Sequence, residues 1–351
     1  MTRPTDDRVP ILNATPATAS TSSRGKYLLV GVATLLACAS VAMVASVAHR
    51  PAVDVRRALP RNILPILTPN PIIGIHGRIS FHGDEYIGAS YIKWVESAGG
   101  RAVHIPYDAS PDELRALLHN VNGVLFPGGG GDPNAAATFI YEYAMELNDN
   151  GTYFPIWGTC LGLEWLVQLT SKNASILDVV EADNVSSTLA FQHRDDRPPS
   201  RIFGFSPFFD VLTTAPLTDN FHDLGILADH FDATESLAAF YNPVATSQDR
   251  HGQTYVAVIE AYDYPFYGVQ FHPEKNAYEF GEFPDGRLWK WIDHSYEAIL
   301  ASQSFAHFFL HEARRNDHWF RDIAQQQAAL LYNTKTSNRS YPMYVEIVLV
   351  D

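Results

Sequence analysis

Short apolar segments alternate with amphipathic segments from Pro71 to the end of the chain. The apolar segments have the length of strands that are buried on both faces, and the amphipathic segments repeat with the period of a helix. Strands are predicted at 72–75, 102–105, 123–126, 154–157, 255–261, 266–271 and 344–350, and helices near 88–98, at 111–118 and 135–147, directly after residue 160 and at 295–315. This alternation predicts an α/β fold, in which helices on both faces cover a mostly parallel central sheet.

Two local patterns refine this prediction. Ser110 to Glu113 has the form of a capping box with proline at the first helical position, which predicts that a helix begins there. The segment 178–241 contains several prolines and shows no regular period, so the sequence assigns no helix or strand to it.

The first 70 residues differ from the remainder. A polar tail at 1–26 precedes an uncharged apolar run at 27–48 and a Pro- and Arg-rich linker at 49–70, and the main domain is predicted at 71–351. The apolar run is long enough to span a bilayer. It is therefore either a signal peptide that is cleaved after residue 48 or an uncleaved signal-anchor. Four glycosylation sequons follow it and favour a domain in a glycosylating lumen: Asn150, Asn173, Asn184 and Asn338.

Composition narrows the classes of partner. The formal net charge of −14 gives no basis for nucleic-acid binding. An acidic body also repels an anionic ligand at long range, so any attraction must come from local groups such as Arg78 or Lys275. The two cysteines are Cys38 and Cys160, and Cys38 lies inside the apolar run. A chain cleaved after that run would contain no intramolecular disulfide.

Two segments contain residues that are typical of a catalytic site. Residues 154–166 read FPIWGTCLGLEWL, an apolar strand that turns sharply into a helix with Cys160 at the tip of the turn. The glycines permit the tight reversal, and the helix N-terminus is predicted to favour the thiolate form of the cysteine. Residues 267–275 read YGVQFHPEK, which places His272 and Glu274 at the end of another strand as a base and a carboxylate that could orient it.

Together these segments resemble the class I glutamine amidotransferase fold, which is flavodoxin-like, and their surroundings resemble the gamma-glutamyl hydrolase family, peptidase family C26. The resemblance extends from Pro71 to the C-terminus. Its motifs are PIIGI at 71–75, ASYIKWVESAGG at 89–100, NGVLFPGG at 122–129, YFPIWGTCLG at 153–162, NFH at 220–222 and YPFYGVQFHPEK at 264–275.

The resemblance implies a cysteine hydrolase that cleaves the γ-glutamyl bonds of folylpoly-γ-glutamates through a thioester and releases glutamate or short polyglutamate. It implies Cys160 as the nucleophile, His272 as the base and Glu274 as the residue that orients the base. The backbone N–H groups of Gly129 and Leu161 would stabilise the oxyanion. Weaker candidates for substrate binding are His222, Glu164 and Gly128. No cofactor or metal is required.

Two other functions are compatible with the same motifs. One is a glutaminase subunit that supplies ammonia to a synthase, although the chain has no synthase region. The other is a non-catalytic binding protein on the same fold, against which the intact Cys160, His272 and Glu274 argue. The targeting segment predicts a lysosomal, vacuolar or extracellular location, or a single-pass anchored form with the catalytic domain in the lumen. The resemblance also predicts a homodimer.

Overall fold

The structure is a computed structural model that describes residues 66–193, 198–283, 285–288, 290–337 and 344–350. These residues belong to one unit, Leu64–Asp351. The predicted polar tail, the apolar run at 27–48, most of the linker and the sequon at Asn338 lie outside the described residues, and the domain boundary at residue 71 stays a prediction. Within the described part of the chain, no helix is long and apolar enough to cross a membrane.

The central sheet has eight strands in the spatial order β4-β1-β5-β6-β12-β11-β10-β8. Its first five strands are parallel, and taken in chain order they are arranged 2-1-3-4-5, the flavodoxin-like order. The last three strands are antiparallel. The prediction of a mostly parallel sheet is therefore confirmed. The strands are β1 Ile72–His76, β4 Arg101–Ile105, β5 Gly123–Phe126, β6 Ile156–Thr159, β8 Ala190–Phe191, β10 Tyr241–Gln248, β11 Thr254–Ala261 and β12 Phe266–Val269.

Helices cover both faces of this sheet, as predicted, because alternate residues of the central strands enter two separate cores. One core lies between the sheet and helices α1 and α7, and the other lies between the sheet and α2, α3 and α4. The capping box at Ser110 is present, with its side chain and that of Glu113 each bonded to the other's backbone N–H. The helices are α1 Ala89–Ser97, α2 Pro111–Leu118, α3 Ala135–Asp149, α4 Leu161–Ser171, α5 Ala228–Ala233, α6 Glu235–Phe240, α7 Tyr296–Ala313 and α8 Ile323–Ala329.

The segment without predicted elements contains a two-stranded antiparallel ribbon, β7 Asp178–Ser187 and β9 Thr218–Gly225. The pairing has two irregularities, and only two of the ten β7 residues are buried, which explains why the sequence shows no clean alternation there. The C-terminal strand β13 Ile347–Leu349 joins a small sheet with β2 Arg78–Ile79 and β3 Glu85–Gly88. Strand β6 begins two residues later than predicted, after Pro155, which has no backbone N–H to donate.

The sheet places the candidate residues at one edge. In a doubly wound sheet, ligands bind beyond the carboxyl ends of the parallel strands. Arg78 follows β1, Gly128 follows β5, Cys160 follows β6 and His272 follows β12. Residues that are far apart in the sequence are therefore brought to one edge of the sheet.

Candidate active site

Cys160 occupies a strained turn between β6 and α4. Its φ of 53° and ψ of −108° are outside the regions that residues with side chains normally adopt. Helix α4 begins so close to the neighbouring strand β5 that Gly162 has no room for a side chain. A Cβ at Gly162 would lie 2.2 Å from the carbonyl oxygen of Phe126. The Cys160 N–H donates to the carbonyl of Val269 at 2.8 Å, which ties the turn to the end of β12.

The charge state of the Cys160 thiol differs from the one that the sequence predicted. Burial raises the pKa of the Cys160 thiol well above its ordinary value, and the carboxyl of Glu164 raises it further. The N–H of Leu161 at the start of α4 lowers this pKa, as the helix N-terminus predicted, but burial outweighs it. The cysteine is therefore a neutral thiol until a base accepts its proton.

His272 and Glu274 form a buried pair. Nδ1 of His272 lies 2.7 Å from Oε1 of Glu274, because the chain turns at Pro273 and brings the two side chains together. Burial lowers the pKa of His272, although Glu274 opposes this change. Burial raises the pKa of the Glu274 carboxyl, but His272, Lys275 and a backbone hydrogen bond together outweigh burial, and the pKa lies below its ordinary value. Nε2 of His272 has no hydrogen-bond partner among the described residues, so a neutral imidazole holds a free lone pair there.

Tyr91 and Gly128 fix the position of the imidazole. The N–H of Gly128 donates to the Tyr91 hydroxyl at 2.8 Å, and that hydroxyl lies 3.4 Å from Nδ1 of His272. A Cβ at Gly128 would lie 2.6 Å from Cε1 of His272 and 3.5 Å from Cβ of Cys160. The imidazole and the cysteine therefore border the same small space, which only a glycine leaves open.

Arg78 supports the glycine turn that follows β5. Its Nη2 donates to the carbonyl of Gly130 at 2.5 Å, and its guanidinium lies 5.1 Å from the ring of Trp165. A Cβ at Gly129 would lie 2.7 Å from Nε of Arg78, so this position also requires glycine. The sequence suggested Arg78 and Lys275 as local attractions for an anionic substrate, whereas the structure shows both side chains buried.

A cleft of about 510 Å³ opens onto this edge of the sheet. Five of the eight residues predicted for the site line this cleft: Gly129, Cys160, Leu161, Glu164 and His222. The remaining three predicted residues do not line the cleft: Gly128 and His272 border the same space as Cys160, and Glu274 contacts His272.

Gln270 is a residue of this site that the sequence did not indicate. Its Nε2 donates to Oε1 of Glu164 at 2.8 Å and lies 4.0 Å from Sγ of Cys160. Burial raises the pKa of the Glu164 carboxyl to about 7, although the bond from Gln270 opposes this. Glu164 is thus a buried acid beside the thiol, one helical turn from it as the spacing predicted.

His222 lies on β9, where its side chain reaches the cleft. Its Nδ1 is 2.8 Å from the carbonyl oxygen of Leu224, and its ring packs edge-on against Tyr255. Burial lowers the pKa of His222 to about 4. The ring is therefore neutral near pH 7, with its orientation fixed by the Leu224 bond.

Asp219 is a second unpredicted residue, and it holds the His272 turn in place. Its carbonyl accepts from the N–H of His272 at 2.9 Å. Its carboxyl accepts from Ser186 Oγ at 2.8 Å, from Asn276 Nδ2 at 2.5 Å and from the N–H of Asp293 at 3.1 Å. Burial raises the pKa of this carboxyl to about 7. No motif marks Asp219, because these contacts come from elements far apart in the sequence.

The sheet order and a cysteine on a strand-to-helix turn match those of a class I glutamine amidotransferase-type domain. Within that class, the chain belongs to the family described as Peptidase C26, which it matches over residues 71–274. The resemblance seen in the sequence is thereby confirmed.

Two relatives that this chain resembles over most of its length are named gamma-glutamyl hydrolases. The chain is 36% identical over 277 residues to gamma-glutamyl hydrolase B of Dictyostelium discoideum, covering 77% of this chain and 78% of that protein. It is 35% identical over 275 residues to gamma-glutamyl hydrolase of Homo sapiens, covering 75% and 83%. It is also similar to the glutaminase domain of Trypanosoma brucei CTPS with bound acivicin, at 16% identity and a TM-score of 0.44, covering 73% of this chain and 99% of that chain. The protein is a cysteine-type hydrolase of γ-glutamyl bonds.

Proposed function

We propose that the protein cleaves folylpoly-γ-glutamates by nucleophilic attack of Cys160, with His272 as the general base and Glu274 as the group that orients it. The observation that carries this proposal is the free Nε2 of His272, whose other nitrogen is bonded to Glu274 at 2.7 Å. That bond selects the tautomer with its lone pair on Nε2. The raised pKa of the thiol makes a base necessary.

The first half of the reaction acylates the cysteine. Nε2 of His272 accepts the proton of Cys160 as the sulfur bonds to the γ-carbonyl carbon of the substrate. The N–H groups of Leu161 and Gly129 stabilise the oxyanion that forms. The imidazolium then donates its proton to the leaving nitrogen, the C–N bond breaks, and the shortened glutamate chain departs. A thioester remains on Cys160.

The second half releases the acyl product. His272 accepts a proton from a water molecule whose oxygen attacks the thioester carbonyl. The C–S bond breaks, and the proton returns to the sulfur. The Glu274 carboxylate stabilises the imidazolium in both halves, which is the role of the carboxylate in serine and cysteine triads.

Glutamate release from pteroyl-γ-diglutamate tests this proposal. The full-length chain is compared with Cys160→Ala and with Cys38→Ala, a matched control because these are the two cysteines of the chain. Release should disappear in the first variant and persist in the second. Free glutamine serves as a competing substrate. Ammonia release from glutamine without cleavage of the diglutamate would favour a glutaminase subunit, and inactivity of the folded wild type on both would favour a binding protein.

We also propose a secretory location, because the apolar run at 27–48 precedes three exposed sequon asparagines, Asn150, Asn173 and Asn184. Treatment of the protein from its natural source with an endoglycosidase should lower its mass, and N-terminal sequencing should show whether the apolar run is retained. An unglycosylated protein that keeps residue 1 would contradict cleavage and lumenal exposure together.

The homodimer stays a prediction, which light scattering of the purified protein tests.

A further inference from the structure

A second cavity, of about 690 Å³, adjoins the active-site cleft. Asp132, Gln168 and Ala174 line both cavities. The amide of Gln168 joins the other two residues, since its Nε2 donates to Oδ1 of Asp132 at 2.9 Å and to the carbonyl of Ala174 at 2.8 Å. The two cavities thus meet at Gln168, and we call them together the α4 groove.

The α4 groove follows one face of helix α4. Cys160, Glu164, Gln168 and Lys172 are spaced by four residues, and each lines at least one of the two cavities. With a rise of 1.5 Å per residue, Gln168 lies about 12 Å and Lys172 about 18 Å from Cys160 along the helix axis. The distal cavity therefore begins about 12 Å from the nucleophile.

The charges along the groove do not suit a long anionic chain. None of the residues lining the proximal cavity is Lys or Arg, and four of them are acidic: Asp132, Glu164, Asp183 and Asp223. One cation, Lys290, lies beside Phe221, which lines the same cavity: its Nζ is 4.8 Å from the ring of Phe221 and 3.6 Å from Oδ1 of Asp183. Lys290 offsets the charge of Asp183, so a polyglutamate chain is attracted towards Phe221 and repelled from Asp132 and Glu164 in the α4 groove.

The distal cavity suits a flat uncharged group. Tyr141, Met145 and Phe240 contribute apolar surface, and Lys172 is the only Lys or Arg among its lining residues. The ring of Phe240 stacks on Tyr264, with centroids 5.3 Å apart, so its position is fixed by packing. A fixed aromatic ring beside a cavity is a surface on which a heteroaromatic ring can pack.

We propose that the distal cavity binds the pteroyl end of the substrate, with the scissile bond at Cys160; this rests on the proposed function. Twelve bonds separate the γ-carbonyl carbon of the first glutamate from the pterin ring. They correspond to four residues of extended chain and reach roughly 13 Å. The pterin ring is then just beyond Gln168, beside Phe240, and the leaving glutamates extend towards Phe221 and Lys290.

Filling the distal cavity tests this proposal. Ser236 is exposed at its rim, so Ser236→Trp blocks the cavity without disturbing the core. Ala239→Trp is the matched control, because Ala239 is exposed on the same helix and does not line the cavity. Each variant is assayed on pteroyl-γ-diglutamate and on N-acetyl-γ-diglutamate, which contains the same bond but no pteroyl group. Ser236→Trp should lower kcat/KM for the pteroyl substrate at least tenfold and leave the acetyl substrate unchanged, while Ala239→Trp should change neither.

A second variant guards against misfolding of the first. Phe240→Leu keeps an apolar side chain but removes the flat ring, and it should lower kcat/KM several-fold for the pteroyl substrate alone. The proposal is overturned if wild type cleaves both substrates with equal kcat/KM, or if the folded variants affect both substrates alike. Failure of wild type to cleave either substrate would instead overturn the proposed function.

Discussion

Glu164 gives a quantitative test of the electrostatics of the site. The carboxyl is only 5% exposed, and burial raises its pKa from 4.5 to about 7. Between pH 4.5 and about pH 7, the Glu164 carboxyl of the folded protein keeps a proton that the same carboxyl has released in the unfolded chain. The contribution of Glu164 to stability therefore falls as the pH rises from 4.5 to 7 and stays lower above 7. The shift corresponds to about 3 kcal/mol. Glu164→Gln removes this cost and can still accept the hydrogen bond from Gln270.

The assay is urea unfolding of wild type and Glu164→Gln at pH 4.5, 6, 7 and 8. We expect the variant to match wild type at the lowest pH and to exceed its unfolding free energy by up to about 3 kcal/mol at pH 8. Glu235→Gln, at an exposed glutamate, should show no such trend. A difference between Glu164→Gln and wild type that is constant with pH, or that shrinks as the pH rises, would refute the reasoning.

Three further predictions follow from the contacts at the site. Glu274→Gln can hold the wrong tautomer of His272 and should lower kcat by roughly 10⁴; a loss below tenfold would contradict the orienting role. Gly128→Ala places a methyl group 2.6 Å from Cε1 of His272 and should lower kcat/KM about a hundredfold, whereas Gly130→Ala, with nothing within 4 Å, should be neutral. Equal effects of the two alanines would contradict the packing described. Asp219→Ala leaves buried donors unpaired and should lower the unfolding free energy by about 1–3 kcal/mol in urea titrations, more than Asp223→Ala on the same strand.

The sequence predicted those features that depend on local pattern. Apolar runs predicted the parallel strands, and the spacing of Ser110 and Glu113 predicted where a helix begins. The glycines around Cys160 predicted the sharp turn. The residues near 178–241 were not assigned, because only two of the ten residues of strand β7 are buried and its pairing is irregular, so hydrophobic alternation carries no signal there.

The features that depend on tertiary packing were not predictable. The helix N-terminus at Leu161 lowers the pKa of the Cys160 thiol as expected, but the depth of burial decides the net direction, and the sequence does not specify it. Gln270 and Asp219 belong to the site because of contacts between elements that are distant in the sequence. Gln270, after β12, bonds to Glu164 on α4, and Asp219 on β9 bonds to the His272 turn.

The thioester on Cys160 is the central claim, and its direct detection is the decisive measurement. Wild type is mixed with pteroyl-γ-diglutamate, quenched in acid within the first turnover, digested and analysed by mass spectrometry. We predict that the peptide containing Cys160 gains the mass of the pteroylglutamyl group and loses it on treatment with hydroxylamine. Substrate turnover with an unmodified Cys160 peptide, together with full activity of Cys160→Ala, would contradict the account.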